Sequence, residues 1–525
     1  MTTVRRSVRR SARGASAASL AVLLAACGTT VPTPSPAGPD AAAAGEELSA
    51  PTAPGSIAEP GLSGPVVGPD AGTGPATGTG PSTAGGSSGF GPARSSGSGS
   101  SSTATSPSSP ARSTSTAPAP GITATHVYVG APYFPDVGST NQALGGGEAA
   151  DQRAMYRAVA EDLNSRGGIR GRKLEPVFFA YSATSNEPIE SQSQAACEHW
   201  TQDNRVFAIF MRGPTILECA KKAGALVTSA SGATGPVYRS NPHLVDPSGI
   251  RPERLGAATV RGLYDIGWGK PNAEWPTGKV GIISWDEPNY RYGVEHGHVP
   301  ALSSVGVKPT DIRYITVPQT AGAIADSSAA VSNAVLRFAD AGIDHVLIQD
   351  GPAGVFGGAG LTILFLNNAK SQQYYPRYGF NGDNAPAFSA YPTDQQHGML
   401  AVDYLDYMPS QDDGMSPNPA RKRCFEIMAE RGITPNDQNS YASAAGVCDS
   451  VWFVERILGG TGPLTRDGAL RVASSLGTSY RSSVVYGTRL SGTRRDGAAL
   501  FRPARYDDAC TCMKYLGPPS EPATG

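Results

Sequence analysis

From about residue 121 onward, short apolar runs alternate with segments whose apolar positions recur every three or four residues. Val127 to Pro132 reads as a strand. After the Gly-rich turn Gly145 to Gly147, Met155, Tyr156, Val159, Ala160 and Leu163 fall at helical spacing, and Gly167-Gly168 stops that helix. Leu174 to Tyr181 is the next strand and Gln192 to Asn204 the next helix. The apolar run Val206 to Met211 then meets a polar turn, Arg212-Gly213-Pro214-Thr215. Thr215 followed by Glu218 three residues on has the form of a capping box, which predicts a helix starting there. A further apolar run, Ala225 to Val227, ends in Ser229-Ala230-Ser231-Gly232. The order is strand, helix, strand, repeated, which predicts a parallel sheet covered on both faces.

Prolines at 242, 247 and 252 interrupt the chain before a helix near Glu253 to Ile266. A second series follows: strands at Lys279 to Ser284, Ile312 to Val317, His345 to Gln349 and Tyr378 to Asn381, with helices at Ala325 to Ala341 and Leu361 to Ser371. Met399 to Tyr407 and the helix around Val447 to Leu458 are expected to return to the first sheet. The fold class is therefore α/β, with two Rossmann-like lobes of parallel sheet, a hinge of several crossovers and a ligand cleft between the lobes. The first lobe is placed at 121–248 plus 396–480, the second at 249–395 plus 481–516, with 517–525 as a tail.

The chain has 525 residues and a formal net charge of −1, so no basic stripe supplies the phosphate-binding term that nucleic acid needs. Five arginines between Arg5 and Arg13 precede an apolar run, Ala15 to Ala26, too short to span a bilayer core of about 30 Å as a mature helix. That order predicts a secretory signal over 1–27. Its end, Leu24-Ala25-Ala26-Cys27-Gly28, resembles a bacterial lipobox, which implies cleavage before Cys27 and lipid on its sulfur. Residues 28–120 are almost wholly Ala, Gly, Pro, Ser and Thr, with Phe90 as their one aromatic. Such a stretch cannot bury enough apolar surface to offset its ordering entropy, so it reads as a tether. The match to G-x-S-x-G at Gly85 to Gly89 lies inside that stretch, without a flanking strand and helix.

With Cys27 assigned to lipid, six cysteines remain, and proximity pairs them as Cys197–Cys219, Cys424–Cys448 and Cys510–Cys512. The last pair is the weakest, since one intervening residue strains a bridge. The histidines show no zinc-like spacing to the cysteines, and His296 and His298 read as surface residues, so no metal is expected. The folded part carries no Walker lysine, no H-E-x-x-H and no nucleophile elbow. The Gly-rich loop Gly354 to Gly360 does not fit G-x-G-x-x-G, and Asp350 precedes it, so no cofactor is expected. No catalytic constellation is visible, and the chain does not read as an enzyme.

The segments SRGGIRGRKLEPVFF, SASGAT, SWDEPNYRYG and the closing CTCMKY, in that order, resemble a type I periplasmic solute-binding protein. The similarity is to the leucine/isoleucine/valine-binding family in its actinobacterial lipoprotein form. The resemblance implies a Cys197–Cys219 bridge and a lobe-one site that holds a ligand carboxylate through Gly213, Thr215, Ser229, Ala230 and Ser231. Helix N-termini there also suit an anion, while Thr215 and Ser231 have a plain reading as helix caps. From lobe two the resemblance implies Tyr292, with Tyr290 as its rival, and Asp383 for an ammonium group, unless Asp383 is a turn residue. Tyr133 ends the first strand, where it lines the cleft or joins the core. Arg212-Gly213-Pro214-Thr215 replaces the family's serine-rich turn. Proline removes an N–H donor there, and Arg212 offers a partner for an extra anionic group, which argues against branched-chain specificity. The implied function is capture of a small polar ligand, an amino acid or relative, for an ABC importer, on the extracytoplasmic face of the cell membrane. A sensor or structural envelope lipoprotein on the same fold is the alternative.

Overall fold

The computed structural model describes residues 118–136, 151–211, 213–229, 232–353, 356, 359–384, 390–406, 418–435 and 438–522. Cys27, Arg212, Ala230 and Ser231 of the expected site, like the signal and the tether as far as residue 117, lie outside the described residues.

The first sheet is built around β1 (His126–Tyr133), whose Val127, Val129 and Ala131 are fully buried. Gly130 lets the strand lie against the indole of Trp200, where an added Cβ would sit 2.9 Å from the ring. The helix Gln152–Ser165 opens with the Asp151 carboxylate accepting from Ala154 N and buries Met155, Tyr156, Val159 and Leu163. It stops where Gly167 and Gly168 take φ of 100° and 64°, a region that favours glycine. β2 (Lys173–Ala180) pairs with β1, and the helix Ile189–Glu198, continued by the turn His199–Asp203, leads to β3 (Ala208–Ile209) and β4 (Leu226–Val227). The order is β2-β1-β3-β4, parallel throughout.

The second sheet has seven strands: β5 (Val280–Trp285), β6 (Asp311–Ile315), β7 (His345–Gln349), β8 (Arg377–Asn381), β9 (Leu400–Asp403), β10 (Arg502–Asp507) and β11 (Cys512–Tyr515). Their order is β11-β10-β9-β8-β7-β5-β6. From β6 to β9 the pairing is parallel, and β10 and β11 add an antiparallel edge. One expectation is corrected here. The strand expected within Met399 to Tyr407 is β9, and it does not return to the first sheet, because it bonds to β8 on one side and β10 on the other. The helix Gln438–Leu458 does return: Val447, Val451 and Val454 share a core with Val127, Met155 and Leu163.

Each sheet separates two cores, which is why its strands are apolar on both faces. Val129 and Ala208 face the helices Gln152–Ser165 and Gln438–Leu458, while Ile209 and Val227 face Trp200 and Ile216. In the second sheet Trp285 and Ile348 pack with Phe338 and Phe365, and Ile282 and Leu347 pack with Leu255 and Leu263.

The chain passes between the sheets more than once, and the passages are hydrogen-bonded to each other. Asp246 N donates to Arg495 O at 2.9 Å, and Gly497 N donates to Asp246 O at 2.8 Å. Adjacent side chains there hold opposite sides. The Arg495 guanidinium donates to the carbonyls of Asn241 and Leu244 near the first sheet. The buried Asp496 carboxylate pairs with Arg254 and with Arg251 at the start of the helix Pro252–Asp265.

All three expected cysteine pairs are joined, with Cα separations of 6.1 Å (Cys197–Cys219), 5.9 Å (Cys424–Cys448) and 5.2 Å (Cys510–Cys512). The Cys510–Cys512 pair, weakest on sequence grounds, sits where β10 turns into β11, so the hairpin already brings its ends together. Among the described residues no helix is long and apolar enough to cross a membrane.

Candidate functional site

Open α/β sheets present ligands with the carboxyl ends of their strands, so those ends are where the expected residues are to be sought. At the end of β1, Tyr133 is half-buried and meets Phe178 of β2 edge-on, with ring centres 6.0 Å apart. The same strand end carries Asp136, which accepts from the hydroxyls of Ser182 (2.5 Å) and Thr184 (2.6 Å) and from the N–H of Ala183 (2.9 Å). Burial pushes its carboxyl up, but these donors outweigh burial and hold it below the ordinary carboxylate range. Asp136 thus joins the ends of β1 and β2, a role the sequence signalled only as a Pro-Asp turn.

After β3 the helix Pro214–Ala223 opens on Gly213 at its N-cap, with Pro214 in the first position. The expected capping box at Thr215 does not form. Thr215 is the second residue of the helix and not its cap, and its hydroxyl donates to the Glu190 carboxylate of the preceding helix. Glu218 is instead exposed, 3.8 Å from Lys221. Thr215 also lines an open groove of about 630 Å³ over the Cys197–Cys219 bridge.

After β4, Ser229 donates to Asp246 Oδ1 twice, from its N–H at 2.8 Å and from its hydroxyl at 3.2 Å. Tyr238 donates its hydroxyl to Asp246 Oδ2 at 2.6 Å. Asp246 is fully buried and is the group that arranges this end of the first sheet. Its sequence signal was slight: an acid within an apolar stretch between Pro242 and Pro247. Thr215 and Ser229 are therefore engaged by two different carboxylates of the chain itself.

At the second sheet, Tyr290 is buried with its hydroxyl donating to Pro352 O at 2.8 Å, whereas Tyr292 is half-buried and lies on the His296 ring at 4.0 Å. The two tyrosines do not converge. His298, expected at the surface with His296, is buried against Gly256, and burial pushes its imidazole down to about 4. Asp383, after β8, accepts from the Tyr404 hydroxyl at 2.5 Å, and its N–H donates to Asn381 Oδ1 at 2.8 Å. It is thus part of a turn and also faces the end of β9.

Two further acids at this end were not anticipated as site groups. Asp350, after β7, is fully buried and accepts from Trp285 Nε1 (2.9 Å), Gly351 N (2.8 Å), Thr362 N (2.7 Å) and Thr362 Oγ1 (2.7 Å). Burial pushes its carboxyl up and the donors pull part of the way back. Asp403, at the end of β9, is equally buried, yet Leu405 N binds Oδ1 while Oδ2 has no partner among the described residues. Burial, with Asp406 and Asp383 nearby, drives it well above the ordinary range. Among the described residues no three His, Cys, Asp or Glu side chains form a metal-holding group.

No protein-family model matches this chain, and no curated protein sequence matches it. Solved structures do. A branched-chain amino acid ABC transporter protein from Thermus thermophilus with bound valine is 16% identical, with a TM-score of 0.56 over 76% of this chain and 98% of that one. A solute-binding protein of an ABC transporter from R. palustris, in complex with 4-hydroxybenzoate, is 15% identical, with a TM-score of 0.53 over 76% and 98%. A type I periplasmic binding protein from Bordetella pertussis is 14% identical, with a TM-score of 0.52 over 75% and 99%. At this identity the likeness is one of fold: the chain has the two-lobed α/β architecture of type I periplasmic binding proteins.

Proposed function

We propose that this protein is an extracytoplasmic solute-binding protein, held to the membrane by lipid on Cys27, that captures a small polar ligand for an ABC importer. The observation that carries the reading is the likeness over nearly the whole length of two proteins named for ABC transporters. The ligands named with them, valine and 4-hydroxybenzoate, share a carboxylate, which supports a small carboxylate-bearing solute here. The lobes would be 121–248 with 418–480, and 249–406 with 481–516, since β9 belongs to the second sheet.

In this reading Gly213, Thr215 and Ser229 stand on one wall of a cleft, Tyr290, Tyr292 and Asp383 stand on the other, and Tyr133 lines it, while Arg212, Ala230 and Ser231, which lie outside the described residues, are expected to serve the same ligand. Closure of two lobes around a ligand expels water and strengthens each polar contact. The test is calorimetric titration of the full chain with the amino acids and with small carboxylic acids. A bound solute at about a hundred times its dissociation constant adds ~2.7 kcal/mol of stability. If that solute is an amino acid, Asp383→Ala costs ~2–5 kcal/mol of binding by removing the partner of its ammonium. Equal binding by the variant removes Asp383 from the site, and no binding by wild type rejects the ligand class. Cys27→Ser leaves unprocessed precursor or moves the protein out of the detergent phase. A cleaved variant that stays in the membrane overturns the lipid anchor.

A further inference from the structure

Two arginines on the helix Gln152–Ser165 stand in an arrangement that local energetics does not favour. Arg153 and Arg157 are one helical turn apart, so like charges share one face, and Arg153 sits in the first turn, where the helix dipole opposes a cation. Both are exposed, and neither makes an ion pair or hydrogen bond among the described residues. Their guanidinium carbons lie instead over one ring, that of Phe178, at 5.3 Å (Arg153) and 5.5 Å (Arg157), and Arg153 also lies 5.7 Å from the Tyr133 ring. Phe178 and Tyr133 are half-buried, so each keeps some accessible surface. These rings stand toward the carboxyl ends of β2 and β1, on the side of the sheet where ligands bind.

The hydroxyls expected to hold a ligand's carboxylate are meanwhile occupied, Thr215 by Glu190 and Ser229 by Asp246. The first lobe still has to supply positive or donor groups for an anion. The arginines have ten N–H donors between them with none engaged among the described residues, in planar forks that match a carboxylate.

We propose that Arg153 and Arg157, with the rings of Tyr133 and Phe178, form a shelf that takes the carboxylate of a solute with a flat aromatic body. The guanidiniums hold the anion while the rings cover the apolar part. The inference rests on the solute-capture reading and narrows its ligand class.

The test is titration of the full chain with benzoate, phenylacetate, uncharged benzamide and L-valine, for wild type and for variants at both arginines. At least one aromatic carboxylate is expected to bind wild type, with benzamide at least tenfold weaker. Arg153→Gln with Arg157→Gln weakens that carboxylate by roughly tenfold to a hundredfold, as loss of hydrogen bonds to a charged group does. Arg153→Lys with Arg157→Lys keeps the charge but loses the forks and falls between. Both positions are exposed, so each variant stays folded, with a melting temperature within a few degrees of wild type. Equal binding of benzoate or phenylacetate by wild type and the glutamine variant overturns the shelf, as does equal binding of benzamide and benzoate. If L-valine binds both proteins and no aromatic carboxylate binds either, the shelf fails and solute capture stands. Silence of all four probes with wild type overturns the shelf and counts against the capture reading as well.

Discussion

The ends of the two sheets solve the same problem differently. At the second sheet, Asp350, Asn381, Asn384 and Asp403 are all nearly or fully buried, and Asp350 is surrounded by four donors. At the first, Tyr133, Thr215 and Ser229 are half-buried, and Thr215 and Ser229 bond to carboxylates on neighbouring segments. A buried network with every donor matched is stiff, because any displacement leaves a polar group without a partner in a low-dielectric interior. Half-exposed groups exchange their partners with water at little cost. The second-sheet end is thus committed to architecture, and the first-sheet end retains groups that a ligand is able to recruit.

The sharpest way to break this contrast is to remove its most committed member. Asp350→Ala orphans the Trp285 and Thr362 donors in the core and should destabilise the fold by about 3–5 kcal/mol. A loss under about 1 kcal/mol in urea unfolding would show that the network is not what stiffens this end.

The first-sheet end is held by a covalent link instead. Cys197→Ala with Cys219→Ala opens a loop of 22 residues and should cost about 2–4 kcal/mol. The wild-type pair should also stay unlabelled by thiol reagents until reduced. Labelling at Cys197 or Cys219 before reduction would contradict the bridge.

Within the second-sheet end, Asp350 and Asp403 form a contrast of their own. Burial raises both, but Asp403 is left with one oxygen unpartnered among the described residues. A carboxyl whose folded-state pKa exceeds its unfolded value exacts no penalty below the unfolded value. The penalty then grows by about 1.4 kcal/mol per pH unit as pH rises toward the folded one. Stability should therefore fall as pH climbs above about 4, and Asp403→Asn should flatten part of that slope. Asp350 and Asp449, both raised by burial, leave the remainder. Unfolding midpoints at four pH values measure it; parallel slopes for wild type and variant would clear Asp403 of the effect.

The smallest effect is expected at Ser229. Ser229→Ala removes one 3.2 Å bond to Asp246 and leaves the backbone bond at 2.8 Å, so the cost is about 0.5–1.5 kcal/mol. A loss of several kcal/mol by thermal melting would place this end among the committed structures and erase the contrast.

Most of the elements were legible in the sequence because their signals are local. His345 to Gln349 was expected as a strand and is β7 to the residue; Met155, Val159 and Leu163 recur at helical spacing and face one core. The cysteine pairs were legible by proximity, since each joins segments already close along the chain. What the tertiary structure alone decided are partnerships across distance. Leu400–Asp403 is apolar enough for either sheet, and its place between β8 and β10 depends on strands about twenty and a hundred residues away. Thr215 carries the pattern of a cap, yet Glu190 in another helix takes its hydroxyl, and Ser229 is organised by Asp246, which no spacing rule singles out. Periodicity fixes which face of an element turns inward. Which polar group waits on the other side follows only from how the elements pack.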